Sequence, residues 1–431
     1  MKKLLCVLAF IMMLTLALAS CGASASETND PAQTAAETKK SVIKHEDATQ
    51  TTQTEVPEQT KVPDHEIDIK DPKLTFVQEF PAPEAKTGDD LRQIVLNKMK
   101  EESEIEWVAA EDFHTGWKPG EEGDFGVDLD YKKGTTYKGI TYTDKASTLD
   151  QFQQYLKDGK FKSDSYYYRE CVGNNCSTAI VVAYNEIIDF PGSGGFKPNT
   201  SRFGVLEYPI ELQIPDTATY YSEDIHKLNG QEKIFEAYAA LGAGDMLYKN
   251  IDGSGHVRLV DHVELSTNFS GEVNYARSQV VCMEQTNAWD KERPGVNSTW
   301  YVGHKYGFST LFQTNFTPVT LCIFHEENPV LKTAYITFNG TNTPESVLEG
   351  FQGTVESNFV LNYVRMTLTD KDGNIVSCVN KFLSNNSYSY NIRKDQYEVF
   401  NGVPAGTYTF TLRAGIGRGG CDIEKFEVTV K

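Results

Sequence analysis

The chain has 431 residues and a formal net charge of −19, with 39% hydrophobic and 11% aromatic residues. That length suffices for two domains with ordinary cores. The acidic balance argues against nucleic acid or an anionic membrane surface as partner, because both require a net basic patch.

Lys2 and Lys3 precede an apolar stretch from Leu4 to Leu18, which ends in Leu18-Ala19-Ser20-Cys21. The stretch is short for a bilayer span, and a small residue stands directly before the cysteine. Residues 1–21 therefore read as a secretory signal with a lipoprotein cleavage box rather than a permanent anchor. Lipidation is expected at Cys21, and Cys6 leaves with the signal. Residues 22–75 hold no Phe, Tyr or Trp and cannot bury enough apolar surface to fold, so they read as a disordered tether. About 50 flexible residues span roughly 40 Å on average. The expected location is extracytoplasmic, with the chain attached to the cell membrane by lipid.

The first globular region is expected over 76–328. It opens with a helix near Asp89–Glu104, with Leu91, Ile94, Val95 and Met99 on one face. "YKGITYT", Tyr137 to Thr143, suggests an extended segment. Ser147 or Thr148 caps a helix with Leu149, Phe152 and Leu156 on one side. The stretch "ECVGNNCSTAIVVAYNEIIDF", from Glu170, places Asn174 and Asn175 as caps and Cys176 in the first turn of a helix reaching about Ile188. Its lack of a polar face predicts burial against a sheet. A further helix is expected at Gln231–Leu241, stopped by Gly242 and Gly244. "MLYK" at Met246, "HVRLVDHVEL" from His256 and "SQVVCMEQT" from Ser278 then read as strands, the last two joined through a turn at Ser270-Gly271. Helices followed by antiparallel strands make an α+β layout.

From 329 to 431 the pattern becomes short strands between turn residues, with Asp372-Gly373 a hairpin signal. This predicts a separately folding Ig-like β-sandwich domain. The acidic run Asp370 to Asn374 lacks the closing Glu of a calcium loop and reads as a plain turn. Six cysteines follow Cys21: Cys171, Cys176, Cys282, Cys322, Cys378 and Cys421. They show neither a disulfide framework nor zinc-ligand spacing, so neither a metal nor another cofactor is expected.

A cysteine nucleophile acts as thiolate, which the free N–H groups at a helix N-terminus stabilise. Cys176 has that position and Cys171, in the preceding loop, does not. The base candidate is His256, with His262 the rival six residues along the same strand. Glu284, ending the alternating set Val280, Cys282, Glu284, would orient the base, with Gln285 the rival. Trp289 and Trp300 read either as the lining of a substrate groove or as ordinary packing.

Four matches in order carry a resemblance: Gly139-Ile140-Thr141-Tyr142, Asn175-Cys176-Ser177, Gly244-Asp245-Met246-Leu247 and His256-Val257. Over roughly Trp107 to Pro318 the chain resembles the NlpC-type branch of the papain-like cysteine peptidases, the bacterial cell-wall hydrolases. The resemblance implies a papain-like fold, Cys176 as nucleophile, His256 as general base and Tyr142 near the oxyanion or substrate pocket. Glu284 holds the place of the third residue. It further implies a cysteine peptidase or amidase cutting peptide bonds of peptidoglycan. Asn175 stands where the family usually has Asp. Thr178 stands where a Gly usually follows, and its branched side chain is expected to crowd the helix packing or narrow the cleft. A catalytically inactive binding module and a transglutaminase-like enzyme, with the same Cys-then-His order, are the alternatives.

Overall fold

The computed structural model describes residues 65–121, 126–190, 192, 196, 205–215, 221–251, 254–383, 387–395 and 398–431. The signal and lipobox, with Cys21, and the tether up to residue 64 lie outside the described residues. The fold is mixed α/β, dominated by antiparallel sheets with few helices. Among the described residues no helix is long and apolar enough to cross a membrane.

The larger layer is a six-stranded sheet. Its order is Trp300–Gly307, Gln279–Gln285, Ser254–Glu264, Met246–Ile251, Thr317–Leu321 and Leu206–Glu207. One core joins Val257, Leu259, Met246 and Met283 of this sheet to Ala179, Ile180 and Ala183 of the cysteine helix, Cys176–Tyr184, and to Leu91, Val95 and Met99 of the helix Gly88–Glu104. The cysteine helix is therefore covered by helix as well as sheet, which accounts for its nearly continuous apolar surface. A second core joins Leu247, Val260, Val280 and Cys282 to Ile234 and Tyr238 of the helix Ser222–Ala239 and to Leu311 of the helix Phe308–Gln313.

Buried polar groups fix these helices to the sheet. Arg92 pairs with Asp245 at 2.7 Å, and the Asp245 carboxylate also accepts from the backbone of Gly242 at 2.8 Å. The Tyr184 hydroxyl donates to the Gly244 carbonyl at 3.0 Å. The Gly244-Asp245 pair thus ties both the first helix and the end of the cysteine helix to the strand that follows.

Four expectations change. The helix capped by Thr148 ends at Gln153, and Leu156 belongs to a two-residue strand. The cysteine helix ends at Tyr184 rather than near Ile188, with Asn185 as its cap. The helix expected from Gln231 begins at Ser222 and is broken at Gly230, where φ is 74°. The largest change concerns the domain boundary. Phe76–Phe80 pairs antiparallel with Ala334–Asn339, so the C-terminal layer takes its edge strand from the start of the region expected to be the first domain. From residue 65 onward the described residues belong to one compact unit.

The C-terminal layer is two four-stranded sheets. One runs Phe76–Phe80, Ala334–Asn339, Thr354–Ser357, Ser389–Asn391; the other Ile375–Phe382, Leu361–Thr369, Gly406–Ile416, Gly419–Val430. Ile336, Phe338 and Val355 of the first sheet share a core with Val364, Met366, Phe410 and Leu412 of the second. The expected hairpin at Asp372-Gly373 is present, with Gly373 at φ 77°. The Asp370 carboxylate accepts from the backbone N–H groups of Asp372 and Asn374 at 2.9 and 2.8 Å, the bonding of a turn.

Candidate active site

Cys176 opens its helix because Asn175 is a competent cap. The Asn175 side-chain oxygen accepts from the N–H groups of Ser177 and Thr178, both at 3.0 Å. The Thr178 hydroxyl accepts in return from the Asn175 N–H at 2.8 Å, completing a capping box. Thr178 therefore supports the turn that carries the thiol, where its branched side chain was expected to crowd the packing. The Asn175 amide donates to Asp144 at 3.2 Å. An aspartate at 175 would set a second carboxylate against Asp144, which gives this chain a local reason for Asn.

His256 and Glu284 lie on neighbouring strands, Ser254–Glu264 and Gln279–Gln285, in which Leu259 pairs with Met283. The His256 Nε2 is hydrogen-bonded to a Glu284 oxygen, and Cys176 lies near enough to act electrostatically on the same ring. With Nε2 engaged by Glu284, Nδ1 is the ring atom left for sulfur. Burial by itself would lower the His256 ring. The neighbouring Cys176 and Glu284 side chains, and the bond to Glu284, overcome that and push it up to about 9. Burial would likewise raise the Glu284 carboxyl, whose side chain is 1% exposed. The Arg258 and His256 cations beside it and its bonds to His256 and Tyr306 hold it well below the usual carboxylate range.

Tyr142 is buried and lies beside the nucleophile's loop, in a bridge with Asn174. Its ring stacks on Tyr168 with centroids 5.8 Å apart. Burial, with the Cys176 sulfur and Tyr168 adding to it, pushes Tyr142 well above the usual phenol range. Its hydroxyl stays protonated and able to donate. The structure thus brings together Cys176, His256, Glu284 and Tyr142.

The rivals sit elsewhere. Cys171 is fully buried, and burial pushes its thiol up to about 12. A β-bulge between Val260 and His262 breaks the alternation that would place His262 on the face of His256. The His262 ring is 54% exposed and pairs with Glu264 at 3.5 Å. Gln285 donates to the Ile140 carbonyl at 2.7 Å, which holds it away from His256. Trp300 donates to the same carbonyl at 2.9 Å. Trp289 packs 5.1 Å from Tyr131 and 5.5 Å from Tyr137, so both tryptophans are bound up in packing.

Several site residues were missed in the sequence. Arg258 donates to Glu284 at 2.9 Å, the Tyr306 hydroxyl donates to the other Glu284 oxygen, and Tyr168 stacks on Tyr142. Strand alternation was the available signal for Arg258, which stands two residues from His256. Glu102 is fully buried behind the nucleophile's loop and accepts from the Asn174 side chain at 3.1 Å. The Asn174 side-chain oxygen in turn accepts from the Ser147 N–H at 2.7 Å. Among the described residues, no group of three or more His, Cys, Asp or Glu side chains is placed to hold a metal ion.

Compared with protein-family models, curated proteins and solved structures, the chain matches none.

Proposed function

We propose that this chain is a cysteine peptidase or amidase of papain-like, NlpC-type layout that hydrolyses peptide bonds of peptidoglycan, held at the cell surface by a lipid on Cys21. The observation that carries the reading is the His256–Glu284 hydrogen bond beside a cysteine, Cys176, that opens a capped helix. The Cys176 sulfur attacks the amide carbonyl, and the carbonyl electrons move to oxygen. Candidate donors to that oxyanion are the N–H groups of the helix start and the Tyr142 hydroxyl. Collapse of the tetrahedral intermediate breaks the C–N bond, and the His256 imidazolium gives its proton to the departing amine. Water, deprotonated by the now neutral ring, then hydrolyses the thioester and frees the thiol.

Peptidoglycan as the substrate follows from the motif order and the surface address, and an Ig-like β-sandwich is the reading of the C-terminal layer. The test is digestion of purified wall fragments by residues 57–431 with product masses recorded. Peptide-bond cleavage that disappears in Cys176→Ala supports the reading. Intact fragments with a normally reactive Cys176 would point to a different acyl substrate, including the glutamine side chain expected of a transglutaminase-like enzyme. Intact fragments together with an unreactive thiol would favour the binding module.

A further inference from the structure

Arg258 is built into the site more firmly than a solvated strand residue would be. Its guanidinium carbon lies 3.8 Å from the ring centroid of Tyr306 and 4.0 Å from that of Phe316, and its Nε donates to Glu284 Oε2 at 2.9 Å. That oxygen is the one bonded to His256 Nε2, while Glu284 Oε1 accepts from Tyr306. The Arg258 side chain is 15% exposed and that of Glu284 1%. A planar guanidinium can lie between two rings and donate in its own plane, which an ammonium cannot do.

A carboxylate given wholly to the imidazole would hold that ring as imidazolium and make it a reluctant proton donor. A carboxylate oxygen shared between two cations attracts each less. We propose that Arg258 is a positioning residue completing a Cys176–His256–Glu284–Arg258 array, in which it fixes Glu284 against the ring and divides its charge, leaving His256 able to release a proton to the leaving amine. The inference rests on the thiol–imidazole reading of the site.

Other charged and titratable groups face the array. Lys249 lies across the ladder from His256, with its ammonium 5.9 Å from the Phe316 ring centroid. Cys176 and Tyr142 approach from the nucleophile's side. Cys282 and Tyr301 sense the Glu284 charge from its own strand and the next. Arg258 is the cation that shares the Glu284 oxygen with His256.

The experiment is an NMR titration of the His256 ring, assigned by its loss in His256→Ala, in the wild type and in Arg258→Met, Arg258→Gln and Arg258→Lys. Both neutral variants should move the midpoint upward by about one pH unit, a roughly tenfold change in acidity. Arg258→Lys, which keeps the charge without the planar fork, should shift it less than either neutral variant. If the methionine variant does not fold, the glutamine variant, which retains a donor to Glu284, carries the test. A midpoint that stays or falls in the neutral variants overturns the inference, as does a lysine variant that shifts as far as they do. The titration uses no peptide substrate. Failure to cut wall peptides with the upward shift present would therefore sink the substrate reading alone.

Discussion

Arg418, in the turn between the last two strands, donates from Nε to the Glu186 carbonyl at 2.8 Å, two residues beyond the end of the cysteine helix. The same guanidinium reaches the Lys332 carbonyl at 2.6 Å and that of Ile187 at 3.4 Å. Beside it, a side chain at Gly417 would come within 2.3 Å of Asn185 Cβ. The C-terminal layer therefore closes the far end of the helix whose first residue is the nucleophile. Farther along the contact, Asp150 pairs with Arg413 at 2.6 Å and accepts from Tyr363 at 2.8 Å, and Asp189 accepts from Tyr388 at 2.6 Å.

Arg418→Met should cost about 1–3 kcal/mol, since it strands carbonyls at a partly buried turn. Urea unfolding of the purified protein measures it. A chain ending at Glu327 loses these contacts together with the partner of strand Phe76–Phe80, so it should aggregate or melt far below the full protein. A soluble, cooperatively folding chain of that length would show that the two layers are independent after all.

Iodoacetamide near pH 7 should modify Cys176 well before Cys171, whose buried thiol is pushed up to about 12. Cys171→Ser should leave the rate unchanged and His256→Ala should slow it. Because the His256 ring keeps its proton until about 9, the pH profile should show an inflection there as imidazolium gives way to neutral imidazole. Peptide mapping after timed labelling decides the matter, and first labelling at Cys171 would remove the nucleophile assignment.

The parts of the site legible in the sequence are those that local rules govern. A cap-forming Asn placed Cys176 in a first turn, and period-two alternation singled out Glu284 at the end of an apolar strand. What escaped depends on partners far away in the chain or on a broken period. His262 was a rival only because a bulge at residue 261 leaves no trace in the alternation. Alternation sets Arg258 on the face of His256, but its enclosure by Tyr306 and Phe316 depends on residues far along the chain. The strands at Met246, His256 and Ser278 and the hairpin at Asp372-Gly373 were similarly visible, but pairing of Phe76–Phe80 with Ala334–Asn339 spans most of the chain and follows from no local pattern. Glu102 stands among several acids at its helix end, and its burial beside the loop at Asn174 follows from no local pattern.

Asn175→Asp should keep the cap, because both residues serve well there, yet replace a donor to Asp144 with a like charge. Alkylation of Cys176 should slow several-fold, with a modest loss of stability. Thr178→Ala, which opens the capping box, should cost about 1 kcal/mol. Thermal melts and labelling rates on the same preparations separate the two effects, and a faster thiol in Asn175→Asp would contradict the role given to Asp144.

Glu102 supplies a prediction about pH. Burial raises its carboxyl from the ordinary 4.5 to about 8, even with the Lys98 ammonium nearby, and one of its oxygens accepts from Asn174. Its other oxygen has no hydrogen-bond partner among the described residues. Between about 4.5 and about 8 the folded protein holds a proton that the unfolded chain has released, so this group makes stability fall as pH rises through that window. Glutamine does not titrate. Relative to wild type, Glu102→Gln should therefore gain stability steadily from pH 5 to pH 8, by an amount on the order of a few kcal/mol. Any fixed cost of fitting the amide shifts both ends equally and leaves the slope intact. Urea unfolding of both proteins at several pH values gives the comparison, and parallel stability curves would show that Glu102 is ionised in the folded protein.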